Sequence, residues 1–121
     1  MARKKGIAKT STTVDKVDQY ELLVPMLRAL LAEMKELSKK KQDGVLNKLK
    51  VEMINRVLSQ VQDLLTDEPT IAFLDLLDDD NLPTNSDAVL IFSQYESAMK
   101  QFYDKYTYYN SASHSHDWSI S

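Results

Sequence analysis

The sequence contains no cysteine, and only two glycines and three prolines among its 121 residues. The lack of cysteine excludes disulfides, thiolate metal sites and cysteine nucleophiles. Because tight turns most often use glycine and proline, their scarcity favours a few long helices over many short strands. Gly6 and Gly44 stand alone in the sequence. No glycine-rich loop exists, so nucleotide cradles of the usual kinds are excluded as well.

Long apolar runs are also missing. Residues 22–27 form one of the longest, which is far short of the roughly 20 residues that a membrane span requires. The basic start, residues 1–6, is not followed by an apolar stretch, so it does not predict a secretory signal. These features predict a cytoplasmic protein that makes no membrane contact.

What is present is ordinary globular composition, with 43% hydrophobic and 27% charged residues. The length predicts one domain. Residues 1–13 are basic and then rich in Ser and Thr, which predicts a flexible basic arm. A helical bundle domain is predicted over residues 14–109. Residues 110–121 are polar and rich in Ser and His, which predicts a flexible tail.

Apolar residues recur every three or four positions along most of the domain, as in amphipathic helices. The first predicted helix begins near Asp18, or earlier near Thr13, and ends at the lysines 39–41. Pro25 interrupts it and predicts a kink or a delayed start. The other predicted helices cover residues 45–65, a short stretch at 70–78 that we expect to be buried on most sides, and residues from Ser86 or Asp87 to 108.

The predicted fold class is therefore all-α: a small helical bundle of three long helices plus one short helix, with flexible N- and C-terminal arms. Two alternatives stay open. The two long helices of the hairpin could pair with a second chain, or a partner could complete the bundle.

Charge is unevenly distributed along the chain. Residues 1–56 hold 13 Lys and Arg against 7 Asp and Glu, whereas residues 57–121 hold 2 against 11. Such asymmetry indicates either a charged partner or an attraction between the two halves in the fold. We favour the second interpretation, because it needs no ligand.

Catalytic and metal-binding patterns are weak. The two histidines, His114 and His116, lie in the predicted tail, which is poorly suited to preorganise a site. The acidic run 78–80 lacks the central glycine and closing glutamate of an EF-hand loop. We therefore expect no enzyme activity, no catalytic residue, no cofactor and no metal site.

Aromatic residues are concentrated near the C-terminus. Tyr is favoured at interfaces because it is large, stiff and amphipathic. Tyr103 and Tyr108 lie off the apolar stripe of the last helix, Tyr109 follows that stripe with its hydroxyl expected at the rim, and Trp118 stands in a polar tail. The predicted interface residues are Tyr103, Tyr108, Tyr109 and Trp118. The leading hypothesis is a non-enzymatic helical protein–protein interaction module. It would be a small accessory, regulatory or inhibitory subunit of a prokaryotic type, binding another protein or a second copy of itself.

The alternative hypothesis is an accessory protein that contacts nucleic acid. Lysine and arginine are all that phosphate contacts require. The candidate residues form a basic arm and a basic turn: Arg3, Lys4, Lys5, Lys39, Lys40, Lys41 and Lys48. Against this hypothesis stands an acidic isoelectric point near 5.3, together with the lack of aromatic residues among these lysines.

Overall fold

A computed structural model describes residues 10–121 of the chain. Over these residues the fold is mostly helical, with three α-helices, one 3₁₀-helix and a C-terminal β-hairpin. The prediction of an all-α bundle with a fourth helix and a flexible C-terminal arm was therefore wrong. The elements in chain order are α1 (Val14–Lys40), α2 (Lys48–Leu64), the 3₁₀-helix (Pro69–Phe73), α3 (Asn85–Tyr106), β1 (Thr107–Asn110) and β2 (Ser115–Trp118).

Helix α1 takes the earlier of its two predicted starts. The Thr13 hydroxyl caps it by accepting the backbone N–H of Lys16 at 3.2 Å. The helix then continues through Pro25 for 27 residues, so the delayed start did not occur. Pro25 is exposed, whereas Leu23 and Leu27 on either side of it are buried. Burial of this apolar stripe offsets the backbone hydrogen bond that proline removes.

The turn between α1 and α2 is tied to the start of α3. Asn47 caps α2, which therefore begins three residues later than the predicted Val45. Val45 pairs with Thr84 in an isolated bridge, and the Asn85 side-chain amide donates to the Lys41 carbonyl at 2.8 Å. A Cβ on Gly44 would lie 3.0 Å from that amide nitrogen, so glycine permits this close approach.

The predicted short helix over residues 70–78 is instead one 3₁₀ turn followed by extended chain. Asn55 of α2 causes the difference, because its side chain donates to the Leu77 carbonyl and accepts the Leu77 N–H, at 2.8 and 2.9 Å. These backbone groups cannot also serve a helix. The segment was expected to be buried on most sides. Leu74 and Leu77 are buried, but Phe73 is 68% exposed.

Helix α3 begins at a Thr84 cap, two residues before the predicted start, and ends at Tyr106. Thr107 and Tyr108, predicted as helix, belong to β1, in keeping with the strand preference of Thr and Tyr. β1 and β2 pair antiparallel, with Thr107 opposite Trp118. Part of the predicted N-terminal arm is also ordered here, because buried Thr12 forms a parallel bridge with Ile120.

The core lies where α1 packs against both α2 and α3. On the other side, the extended chain after the 3₁₀-helix fills the space between α2 and α3. Gln62 of α2 donates to the Leu74 carbonyl at 2.7 Å, and the Tyr95 hydroxyl of α3 donates to the Asp75 carbonyl at 2.7 Å. Within residues 10–121, no helix has the length and apolar character that crossing a membrane demands.

Candidate functional site

A groove of about 770 Å³ lies between α1 and α3 and is open to the surface. Its walls combine apolar side chains with polar residues of both helices. The lining residues are Tyr20, Val24, Leu27, Arg28 and Leu31 from α1, and Ser93, Glu96, Ser97, Met99, Lys100, Tyr103 and Asp104 from α3. Leu27, Leu31 and Met99 are buried and form the floor. We call this surface the α1–α3 groove.

The two helices that form the groove run antiparallel. Tyr20 of α1 stacks on Phe102 and Tyr103 of α3, with ring centroids 5.7 and 6.1 Å apart. Arg28 lies about two turns after Tyr20, and Glu96 lies about two turns before Tyr103. Arg28 and Glu96 are therefore level with each other on opposite walls of the groove. Sequence periodicity gave no indication of this pair, because it depends on how two distant helices align.

Charge within the groove is only partly neutralised. Lys100 and Asp104, one turn apart on α3, form an ion pair at 2.8 Å. Arg28 and Glu96 are exposed and belong to none of the ion pairs found among residues 10–121. Within the described part of the chain, one wall thus presents a cation and the other an anion that form no ion pair.

The hairpin end of the groove is closed by an aromatic cluster. Trp118 lies edge-on to Tyr20 and Tyr103, with centroids 5.1 and 5.5 Å apart, and its ring is 6.0 Å from that of Phe102. Such pairs stabilise beyond the area they bury. Burial is also the main reason that the pKa of Tyr20 is raised. Trp118 therefore joins the hairpin to both helices.

The four predicted interface residues occupy different surroundings. Tyr103 lines the groove, and Trp118 is half-buried at its end. Tyr108 is half-buried in β1, opposite Asp117. Tyr109 is 51% exposed, and its ring lies edge-to-face with that of His116, with ring centroids 5.6 Å apart. The hairpin thus brings Tyr103 and Trp118 together at the groove and leaves Tyr109 as the most accessible of the four.

A buried carboxylate joins the chain just before the 3₁₀-helix to the last turn of α3. Glu68 is 6% exposed, and its two oxygens accept from Lys105 Nζ at 3.0 Å and from the Tyr106 hydroxyl at 2.7 Å. The hydrogen bond from Glu68 is the main cause of the raised pKa of Lys105. Burial, followed by the bond to Glu68, raises the pKa of Tyr106. Lys105 and Tyr106 thus both donate to Glu68, and Lys105 Nζ lies 5.2 Å from the centre of the Tyr106 ring. We call this arrangement a structural clamp.

The basic turn is real but is not isolated. Lys39, Lys40, Lys41 and Lys48 are exposed around the α1–α2 turn. That turn touches Pro83 and Asn85, which places the acidic loop 78–80 and Asp87 at the same end of the molecule. Arg3, Lys4 and Lys5 lie outside the described residues. Thr10, at the other end of α1, is separated from the basic turn by the length of that helix, about 40 Å.

The acidic run 78–80 and the two histidines lie on the surface of the molecule. Asp78, Asp79 and Asp80 bring carboxylate oxygens within 4.8 Å of one another on the exposed loop. However, an Asp78 oxygen accepts the backbone N–H groups of Asp80 and Asn81, which lower the pKa of Asp78. His114 and His116 are exposed on the hairpin, and neither is among the residues that line the α1–α3 groove. The His116 ring lies 6.2 Å from that of Tyr103, which does line it.

No protein-family model, no curated protein and no solved structure matches the chain. Its function is therefore argued from the geometry.

Proposed function

We propose that the chain is a non-enzymatic protein-binding module whose binding surface is the α1–α3 groove. The single observation that carries this proposal is the contrast between two gaps of the same fold. The gap between α2 and α3 is covered by the chain's own extended segment, which Gln62 and Tyr95 hold by hydrogen bonds. The groove between α1 and α3 has an apolar floor of Leu27, Leu31 and Met99 and no covering segment among residues 10–121.

The shape of the groove suits an element of secondary structure. Its lining extends from Tyr20 to Leu31 along α1, about 16 Å or three helical turns. Ser93 and Ser97 are exposed and lie one turn apart on the α3 wall. An apolar floor beneath a polar rim is the usual anatomy of a protein interface.

A nucleic-acid partner is the less favoured candidate. The lysines of the α1–α2 turn lie at the same end of the molecule as the acidic 78–80 loop and Asp87, and these acidic residues weaken the positive field there. Among residues 10–121, one ion pair joins the basic half of the sequence to the acidic half, Lys16 with Asp67 at 3.2 Å. The proposal includes an accessory, regulatory or inhibitory role in the cytoplasm, for which the cysteine-free composition is the support.

A site-specific photo-crosslinker tests this proposal. Benzoylphenylalanine is placed at Ser97, where its ring extends into the open volume of the groove, and as a matched control at Gln94, which is exposed on the same helix outside the groove lining. Both variants are produced in the cell that naturally contains the chain and are irradiated there. We expect a protein adduct from position 97 and little from position 94. Equal adducts from both positions, no adduct from either, or nucleic acid as the captured species would overturn the proposal.

A further inference from the structure

Two opposite charges lie on the two walls of the α1–α3 groove. Arg28 on the α1 wall and Glu96 at the same level of the α3 wall have no ion-pair partner among residues 10–121. The remaining groove charges, Lys100 and Asp104, already satisfy each other at 2.8 Å. An occupant with an anion above α1 and a cation above α3 would complement both charges.

We infer that the occupant is a second copy of this chain, related to the first by a twofold axis parallel to the groove helices. This inference rests on the proposed function of the groove. Such an axis lays α1 of each copy over α3 of the other without shifting them along the helix direction. Because Arg28 and Glu96 are level within one chain, the operation brings Arg28 of each copy to Glu96 of the other.

The resulting contact is isologous and therefore closes as a dimer. It contains two identical Arg28–Glu96 ion pairs, one on each side of the axis. The two α1 and two α3 helices together form a four-helix layer over the joined apolar floors.

Charge reversal gives the test a specific pattern. Arg28→Glu and Glu96→Arg are each exposed substitutions that turn both ion pairs into like-charge contacts. The full-length protein and each variant are studied by sedimentation velocity between about 1 μM and 1 mM. We expect the unaltered chain to dimerise reversibly, and each single reversal to raise the dimer dissociation constant about tenfold to a hundredfold.

The decisive samples combine the two reversals. In an equimolar mixture of R28E and E96R, each mixed dimer has one pair between the two substituted positions and one pair between the native Arg28 and Glu96. The mixture should therefore dimerise nearly as well as the unaltered chain. The double variant R28E/E96R should also recover. Arg56→Glu and Glu33→Arg are matched controls, exposed on α2 and α1 outside the groove lining, and should leave the equilibrium unchanged. Far-ultraviolet circular dichroism checks that every variant is folded.

Several results would overturn this inference. A monomer throughout the concentration range, or a mixture that does not recover, would do so. In the crosslinking experiment at Ser97, an adduct of about twice 13.9 kDa supports the dimer. An adduct with a different protein would overturn the self-pairing while leaving the protein-binding function in place. Failure of the inference and failure of the proposed function are thus distinguishable.

Discussion

Glu68 and Tyr106 are 38 residues apart in the sequence, yet the Tyr106 hydroxyl donates to the buried Glu68 carboxylate at 2.7 Å. The second oxygen of the same carboxylate accepts from Lys105. This carboxylate ties the chain just before the 3₁₀-helix to the last turn of α3, from which the hairpin continues. A buried charge of this kind is tolerated only while its partners are in place.

Replacing Glu68 with alanine should destabilise the fold by about 2–3 kcal/mol, because it leaves the Tyr106 hydroxyl and the Lys105 ammonium without their acceptor. The measurement is urea unfolding followed by Trp118 fluorescence. Asp67→Ala is the matched control, since Asp67 is 79% exposed and bridges only Lys16 at 3.2 Å. It should cost less than about 1 kcal/mol. Equal effects at the two positions would mean that the carboxylate of Glu68 is not the clamp.

Stability should fall between about pH 10 and pH 12. Burial raises the pKa of Tyr95 to about 12 and also raises the pKa of Tyr20 and Tyr106, while Glu68 raises the pKa of Lys105. The folded state therefore keeps protons that the unfolded chain releases near pH 10, so stability is full below that pH and is lost above it. Urea midpoints at pH 9 and pH 11.5 measure the effect. Tyr95→Phe should reduce the slope, and an unchanged midpoint would refute this assignment.

Asn55→Ala should destabilise the chain by about 2–3 kcal/mol. The substitution removes a donor and an acceptor at once and leaves both backbone groups of Leu77 without their partner. Asn55→Asp should also be harmful, because it keeps the acceptor and loses the donor. Gln60→Ala, at an exposed position of α2, serves as the control and should remain within about 0.5 kcal/mol. Amide hydrogen exchange should show faster exchange over residues 74–78 in the Asn55 variants alone.

Trp118→Ala should destabilise the fold by about 2–3 kcal/mol, less than a fully buried tryptophan, because the ring is half-buried. The hairpin should then separate from α1 and α3, and limited proteolysis should cut near Ser111. Trp118→Phe keeps an aromatic ring against Tyr20 and should recover at least half of the loss. His114→Ala, exposed in the hairpin turn, is the control for effects on the hairpin alone. Resistance of W118A to the protease would contradict this role.

The sequence predicted the helices where the structural signal is local. The three-and-four spacing of apolar residues located most of α1, α2 and α3, and the Thr13 start was one of the two expected. The prediction of a short third helix was wrong because Asn55, 22 residues earlier, forms hydrogen bonds with the backbone groups of Leu77. The prediction of a flexible C-terminal arm was wrong because Trp118 packs against Tyr20 and Tyr103, which lie in two distant helices.

The groove was harder to foresee than the helices. Tyr103 is the predicted interface residue that lines it. Arg28 and Glu96 look like ordinary solvated charges in the sequence, and only the antiparallel alignment of α1 and α3 places them at one level. Pairings between distant elements are set by tertiary packing, which periodicity within one element does not report.

The bridge between Thr12 and Ile120 has a kinetic consequence. Ser121 and Thr12 are 109 residues apart in the sequence, so their contact closes almost the whole described chain into a loop. Closing so long a loop is slow compared with pairing two helices joined by a short turn. The α1–α2 hairpin should therefore collapse early during refolding. The joining of Thr12 to the C-terminal hairpin should be the last and slowest event, at the end of the molecule where the groove is closed.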